Sequence, residues 1–512
     1  MGMLVLNRLM SLQRDRQRRR QIRARCGFTT TTGKRKGSPC QQDDDGDSNK
    51  PLKITRSSIE DLSEDILCHI HSLLPMREAA SAACVAPAFL RSWRCYPNLI
   101  FNMDTIGLKK NGRGENFHHK IDRILRNHSG ISLKTFNLDY TGMTGFNGIS
   151  YFDSWLQIAL KPGIEELTLL LFRSQKQYNF PCSLLSDGVR NSLQCLKLRF
   201  AALHPTVELG PLGSLTRLHL SYVNITWDEL KCLLCNSLAL EQLELERCAE
   251  IICLKIPCAL QQLSCLSVVE CERLKVIESK APNLSSISLR GHRLNFSLVK
   301  TLQVKKLVYF CSNFVHGARA KLPTFMPNLE SLVIISEVEV VDTPMLPTKF
   351  LNLKHLSIWL LSSNTSRLYD FLSLVSFLDA APCLETLVLS APQSDMMHES
   401  VFADSQLRDM PDLCHGNLQS VKIRGFTSAK CLVELACYIL KSAVSLECLT
   451  LDTVYVPRCG GKNKYCAPIA NDVLKEAHRA LSAIRTYIEN KVPSTVKLTV
   501  LEPCSRCSGG GI

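Results

Sequence analysis

Few residues of this chain could form a metal, redox or catalytic site, and their spacing does not suit one. Cys504 and Cys507 have the C-x-x-C spacing of a zinc or redox site, but neither a second cysteine pair nor a histidine pair follows them. His118 and His119 are adjacent, so on a helix or strand their side chains point in different directions and do not share a metal. We interpret the cysteines as part of a frayed tail and the histidines as part of a solvated linker.

The sequence also lacks the short motifs whose mechanism is understood. It contains no G-x-G-x-x-G, no Walker A loop, no H-E-x-x-H and no G-x-S-x-G. It therefore predicts a protein that is not an enzyme and holds no metal or cofactor. A chain of 512 residues, of which 45% are hydrophobic, has room for two or three domains with a sizeable core. Its function should lie in what these domains bind.

Positive charge is concentrated at the start of the chain. Residues 1–50 contain 12 Lys/Arg and 5 Asp/Glu, a net charge of +7 out of +14 for the whole chain. This composition predicts a disordered basic tail. Its clusters RDRQRRRQIRAR and KRK suit nuclear import, with a solvated tail or a mitochondrial presequence as alternatives. No aromatic residues interleave the charges to stack on bases, which argues against nucleic acid as a partner.

Cysteine use and apolar runs bear on the location of the protein. The 24 cysteines are scattered, many of them in apolar runs such as LKCLLCNSL, where a free cysteine behaves as a small buried hydrophobe. This pattern is typical of a reducing compartment, so we expect a nuclear and/or cytoplasmic protein. No apolar run approaches the ~20 residues that span a bilayer. We expect no membrane partner.

A stretch near the start predicts three short helices. Ser63 can cap the first, and Pro75 stops it. One face of this helix is apolar, with Ile66, Leu67, Ile70, Leu73 and Leu74. MREAASAACV supplies the second helix, and AFLRSW supplies the third. Three helices in about forty residues bury little apolar surface by themselves, so this module needs a partner or a neighbouring domain.

The rest of the chain repeats a motif of the form L-x-x-L-x-L. The thirteen copies begin at Leu133, Ile164, Leu193, Leu215, Leu240, Leu263, Leu284, Val304, Leu329, Leu353, Leu384, Leu418 and Leu446. A motif that recurs at roughly 20–29 residues is the signature of leucine-rich repeats. Each copy predicts a short strand that cannot bury its apolar face alone, whereas stacked copies share a continuous core. The longer intervals after Leu353 predict inserted loops or helices.

In each motif the third, fifth and seventh residues should face the concave surface of the solenoid. The early motifs place charged residues there, namely Lys197, Arg199, Arg217, His219, Glu244 and Glu246. The later motifs place large apolar residues there, namely Val308, Phe310, Val333, Ile335, Trp359 and Val388. Because a contiguous exposed apolar patch marks a binding surface, we predict that this set binds a protein substrate. The alternative is that an inserted loop covers it.

Taken together, LSEDILCHIHSLLP, AACV and FLRSWRCYPNL resemble an F-box, in the form found in plant F-box proteins with leucine-rich repeats. The segment from His415, HGNLQSVKIRGFTSAKCLVELACYILKSAVSLECLTLDT, resembles the FBD-type C-terminal segment of the same family. The resemblance implies docking on a Skp-type adaptor through Leu62, Ile66, Ile70, Leu74, Pro75, Val85 and Trp93. Pro87 departs from the family pattern, because it should fall inside the third helix and bend it.

The resulting expectation is an α/β protein, with a three-helix F-box module followed by a leucine-rich-repeat solenoid with a curved parallel sheet. The expected divisions are a disordered tail at 1–50, the module at 55–100, a linker or first solenoid turn at 101–130, repeats at 131–410, FBD-like repeats at 411–500 and a disordered tail at 501–512. The expected function is substrate recognition in a cullin-based ubiquitin ligase. The alternative is a repeat scaffold that binds a partner without any ligase.

Overall fold

The structure is a computed structural model that describes two compact units of the chain. The described residues are 62–107, 114–130, 133–141, 149–173, 177–206, 208–291, 303–361, 369–391, 398–408, 413–454 and 469–503. The first unit comprises the residues up to Asp139 together with 143–164, and the second comprises 140–142 and the residues from 165 onward. The predicted tail at 1–50 and the pair Cys504 and Cys507 lie outside the described residues.

The first unit combines short helices with two parallel strands. Its helices are α1 (Glu64–Ser72), α2 (Met76–Val85), α3 (Pro87–Trp93), α4 (Met103–Ile106), α5 (Gly114–Asn127) and α6 (Ile149–Ala159), and its strands are β1 (Asn98–Phe101) and β2 (Thr135–Asp139). The rings of Phe101 and Phe136 are fully buried, with centroids 5.9 Å apart. His118 lies in α5 and is buried against the indole of Trp155 at 5.9 Å. The interpretation of His118 as part of a solvated linker is therefore wrong.

The second unit contains one long parallel sheet. Its strands, in the order of the sheet, are β3 (Glu166–Leu170), β5 (Cys195–Arg199), β7 (Arg217–Ser221), β8 (Gln242–Glu246), β10 (Cys265–Val269), β12 (Ser286–Arg290), β13 (Lys306–Phe310), β14 (Ser331–Ser336), β15 (His355–Leu360), β16 (Thr386–Ser390), β17 (Ser420–Arg424), β18 (Cys448–Asp452) and β19 (Lys497–Leu501). Two short parallel sheets pair β4 (Tyr178–Phe180) with β6 (Ala201–Leu203), and β9 (Cys253–Ile256) with β11 (Val276–Ser279).

All thirteen repeat motifs form strands, and each strand begins at the third residue of its motif. The pairing keeps equivalent positions side by side, as in Leu243 with Leu266 and Leu245 with Val268. These four side chains are fully buried, because successive repeats stack the same two apolar positions into one core. The predicted α/β class and repeat fold are confirmed. Strands β1 and β19 follow no such motif and were not predicted.

Helices and tight turns connect the strands of the second unit. The helices are α7 (Asp187–Arg190), α8 (Trp227–Cys235), α9 (Val315–Phe325), α10 (Val375–Ala380), α11 (Lys430–Ser442) and α12 (Asn471–Ala483). Single 3-10 turns occupy Cys182–Leu184, Phe371–Leu374 and Glu489–Lys491, and a π-helical turn at Ile484–Ile488 continues α12. Helix α11 lies in the segment from His415 and packs its apolar face inward. Within the described part of the chain, every helix is too short or too polar to cross a membrane.

Candidate adaptor and substrate surfaces

The three-helix module is held together by a small core with a polar centre. Leu67, Ala88 and Phe89 are buried together. Beside them, the His71 ring contacts the Ala79 carbonyl through Nε2 at 2.8 Å and the Ser92 hydroxyl through Nδ1 at 2.7 Å. Burial lowers the pKa of His71, although the hydrogen bond to Ala79 works in the opposite direction. The imidazole of His71 thus links all three helices, since its partners lie on α2 and α3.

Helix α1 is apolar on two sides. One side, with Leu67 and His71, faces the core of the module. On the other side lie Ile66 and, two turns further on, the cap residue Leu73, whereas the half-buried Ile70 packs against the module's core. Leu73 is 65% exposed and Ile66 is 47% exposed. A helix of a stable isolated module has no need of a second apolar side facing water.

The structure separates the residues predicted to bind the adaptor into three groups. Leu62, Ile66, Pro75 and Val85 are exposed, Ile70 and Trp93 are half-buried, and Leu74 is buried, with 7% of its surface exposed. Leu74 therefore contributes to the module's own interior. The exposed Leu90 and Leu73 were absent from the predicted set. Their exposure depends on how the three helices pack, which helical spacing alone does not reveal.

Pro87 is the first residue of α3 rather than an interior one. The preceding Ala86 has an extended backbone and caps the helix. At this first position the missing N–H of proline has no intrahelical partner to lose, and its fixed φ suits a helix start. The expected bend is therefore wrong. Ser63 occupies the cap position of α1, but its side chain makes no capping hydrogen bond.

The six residues predicted to bind substrate lie on one face of the long sheet, which we call the open face. Val308 and Val333 are neighbours in register, and Phe310, Ile335 and Trp359 form a second row beside them. Val388 continues the first row after Ser357. The alternate residues, such as Tyr309 and Ile334, are buried, so the predicted inward and outward positions are correct. We call these six residues the apolar strip.

The apolar strip is partly open to solvent, and arginines stack on two of its rings. Val308 is 36% exposed, and the other five residues are half-buried. The Trp359 indole N–H donates to the hydroxyl of Ser357, the polar residue between Val333 and Val388 in the first row, at 2.6 Å. The guanidinium of Arg290 lies 4.6 Å from the Phe310 ring, and that of Arg424 lies 5.5 Å from the Trp359 ring. Residues 362–368 and 392–397, from which a covering loop would come, lie outside the described residues.

The opposite end of the open face is charged, and Arg217, His219 and Glu244 form ion pairs there. The His219 Nδ1 lies 2.8 Å from a carboxylate oxygen of Glu244, and Arg217 pairs with Glu166 at 2.8 Å. Burial lowers the pKa of His219, and the nearby Glu244 opposes this shift. At the strand ends, the rings of Phe200 and Tyr222 stack at 4.4 Å. This end of the sheet forms ion pairs and ring stacks that stabilise the repeats against one another.

The described part of the chain contains no cluster of side chains that could bind a metal ion. No group of three or more His, Cys, Asp or Glu side chains converges there as a metal site would require. The cysteines it contains are all free thiols. The exposed apolar side of α1 and the apolar strip are both surfaces suited to binding.

A parallel sheet of stacked strands, each formed by one copy of a short leucine motif, defines a leucine-rich-repeat protein. A family model described as the LRR domain of At1g61320/AtMIF1 matches residues 124–505. Because this match covers more than half of the chain, the chain belongs to that family. The match includes the segment from His415 that resembles the FBD type.

Several Arabidopsis thaliana proteins are similar over most of their length. The FBD-associated F-box protein At1g66310 is 24% identical over 443 residues, which are 80% of this chain and 93% of the relative. The putative F-box/FBD/LRR-repeat protein At5g56810 is 24% identical, over 78% of this chain and 92% of the relative. The putative FBD-associated F-box protein At5g53635 is 23% identical, over 77% and 95%. These relatives confirm the resemblance to plant F-box proteins with leucine-rich repeats and an FBD-type segment.

Among solved structures, the complex of yeast Rad7 and Elc1 contains a similar chain. It shares 14% sequence identity and covers 67% of this chain and 82% of its own length, with a TM-score of 0.26. That TM-score is too low to support any argument about function.

Proposed function

We propose that this protein is the substrate-recognition subunit of a cullin-based, SCF-type ubiquitin ligase. The helical module docks on a Skp-type adaptor and, through it, on a cullin. The open face of the repeat sheet binds the protein to be ubiquitinated. The chain itself contributes no catalytic residue and no cofactor, because ubiquitin transfer belongs to the partner enzymes. Its contribution is proximity, which raises the local concentration of a substrate lysine.

The observation that carries this proposal is the second apolar side of α1. Its residues Ile66 and Leu73 project from a module whose core is already complete without them. Exposed apolar side chains two helical turns apart suit a hydrophobic groove on a partner. Among the relatives, several are named F-box proteins. The adaptor is therefore the partner that the proposal assigns to this side of α1.

The test is a binding measurement between the full chain and a purified Skp-type adaptor. Replacing Ile66 and Leu73 together with aspartate places two charges in the contact, and we expect the affinity to fall at least about a hundredfold. The control is Val444→Asp, which adds one such charge on the second unit, where Val444 is 70% exposed, and is compared with Leu73→Asp alone as well as with the double variant. Leu74→Asp is unsuitable as a test, since burial of Leu74 makes misfolding indistinguishable from a lost contact.

Two outcomes would contradict the proposal. Failure of the unaltered chain to bind the adaptor would leave a leucine-rich-repeat scaffold that assembles into no ligase. Equal loss of binding in the Val444→Asp variant would show that added charge, rather than the side of α1, controls the measurement.

A further inference from the structure

Two basic residues beside the apolar strip form no ion pair with any other residue that the structure describes. Lys422 and Arg424 lie on β17 and are half-buried on the open face. Neither takes part in an ion pair with any carboxylate in the described part of the chain. Arg290, which stacks on the other aromatic ring of the strip, instead pairs with Glu270 at 3.0 Å. Of the two arginines stacked on rings of the strip, Arg290 is therefore neutralised by Glu270, whereas Arg424 can pair with a carboxylate of a ligand.

The register of the sheet places both cations next to the strip. Lys422 is the direct neighbour of Val388, and Arg424 is separated from Trp359 only by Ser390 in the same row. On the far side of Arg424, the carboxylate of Asp452 is almost fully buried and accepts the Val454 N–H at 3.2 Å. The apolar strip therefore ends in two positive charges on the same face.

We infer that the open face binds a protein segment in which apolar side chains lie next to Asp or Glu. Its apolar side chains pack on Phe310, Ile335 and Trp359, and its carboxylates pair with Lys422 and Arg424. A partly desolvated cation gains more from an opposite charge than a fully hydrated one does, so the unpaired residues favour an acidic ligand. This inference rests on the proposed function, because it names the substrate class for the same open face.

The spacing of the two cations favours separate carboxylates over one phosphate. Alternate residues of a strand lie about 6.8 Å apart, which matches the spacing of side chains on one face of an extended peptide, so each cation can pair with its own carboxylate. The Arg424 guanidinium, which lies 5.5 Å from the Trp359 ring, has the planar fork of N–H donors that binds a carboxylate with two parallel hydrogen bonds.

The inference can be tested by fluorescence anisotropy with the purified full chain. The probes are short synthetic peptides that combine Phe, Leu and Val with Glu at varied positions. Three matched sets replace every Glu with Gln, with Lys or with phosphoserine. We expect peptides of the Glu set to bind at least about tenfold more tightly than their Gln or Lys counterparts.

Substitutions of the two cations should then remove or reverse the preference for Glu peptides. The pair Lys422→Glu and Arg424→Glu should weaken binding of the Glu peptides at least about tenfold and favour the Lys peptides. The neutral pair Lys422→Gln and Arg424→Gln should abolish the discrimination while retaining the fold.

Trp359→Ala and Phe310→Ala should weaken binding of all peptide sets. The control pair Lys275→Glu and Lys280→Glu makes the same charge change beside β11, on a separate short sheet, and should change nothing.

The inference is overturned if no Glu peptide binds the unaltered chain, or if the Gln and Lys sets bind equally well. Tighter binding of the phosphoserine set would also overturn it, in favour of a phosphorylated substrate. Each of these results is separable from failure of the proposed function, because adaptor binding by α1 is measured independently and does not require the open face.

Discussion

At the scale of single residues, Arg408 shows how a long connection is fixed to the solenoid. Its guanidinium contacts the Asp370 carboxylate at 2.6 Å and the Glu434 carboxylate at 2.6 Å. Its backbone N–H donates to the other oxygen of Glu434 at 2.8 Å. Glu434 lies on α11 and is only 3% exposed. The hydrogen bonds to Asp370 and then to Glu434 raise the pKa of Arg408, against an opposing effect of burial.

We predict that Arg408→Met destabilises the second unit by about 1–3 kcal/mol, because it leaves the buried Glu434 carboxylate without its cation. The half-exposed position of Arg408 keeps the loss toward the lower end of that range. The measurement is the free energy of unfolding in urea. Glu434→Gln, added to Arg408→Met, should recover part of the loss, since the amide needs no counter-charge.

Lys430→Met is the matched control for this prediction. Lys430 also lies on α11 and pairs with Asp404 of the same connection, but the Asp404 carboxylate is half exposed. A surface pair of this kind contributes about 0–1 kcal/mol. If Arg408→Met costs no more than Lys430→Met, the buried network does not stabilise the connection.

At the scale of secondary-structure elements, His71 makes the helical module sensitive to acid. The imidazole is almost fully buried, so its pKa in the folded state lies below the value of 6.5 expected in the unfolded chain. The aromatic rings of Phe89, Trp93 and Tyr96 surround it within 6.1 Å. They offer no anion to stabilise an imidazolium. Protonation of His71 therefore favours the unfolded state.

We predict that the module is most stable above about pH 6.5 and loses stability as the pH falls through the lowered pKa of His71. The loss approaches about 1.4 kcal/mol for each unit by which the folded pKa lies below the unfolded one. Unfolding followed by tryptophan fluorescence as a function of pH measures it. His71→Gln keeps a donor and an acceptor for Ala79 and Ser92, and should flatten this dependence. An identical pH dependence in both proteins would assign the effect to another group, such as His128, whose pKa burial also lowers.

At the scale of the whole molecule, the repeat architecture could be predicted because one signal recurs thirteen times. Each motif is short and ambiguous alone, but the same spacing of apolar residues inside every copy places equivalent positions in one core. Both the strands and their outward residues therefore follow from the sequence. The strands β1 and β19 lack the motif and gain their place only by pairing with a neighbouring strand. Helical periodicity likewise identified α1 to α3, whereas the starting position of Pro87 depends on a local backbone turn.

The candidate surfaces were only partly predictable, for a physical reason. Periodicity identifies which residues share a face, but not whether the face is covered, so Leu73 and Leu74 are equivalent in the pattern and opposite in exposure. The apolar strip was predictable because strand alternation fixes the side of each residue. The lack of a described ion-pair partner for Lys422 and Arg424 could not be predicted. Ion pairing depends on neighbours about thirty residues away in sequence and on how far each side chain reaches.

The last prediction concerns where the whole protein accumulates. Residues 1–50, which lie outside the described residues, carry half of the net positive charge in two basic clusters. We propose that these clusters direct the protein to the nucleus. In a fluorescent fusion of the full chain, changing Arg18, Arg19, Arg20, Lys34, Arg35 and Lys36 to alanine should lower the nuclear-to-cytoplasmic ratio several-fold.

A control with Asp43, Asp44 and Asp45 changed to asparagine alters the same segment but leaves both clusters in place. An unchanged ratio in the alanine variant would reduce the segment to a solvated tail, and mitochondrial fluorescence of the unaltered fusion would identify it as a presequence instead.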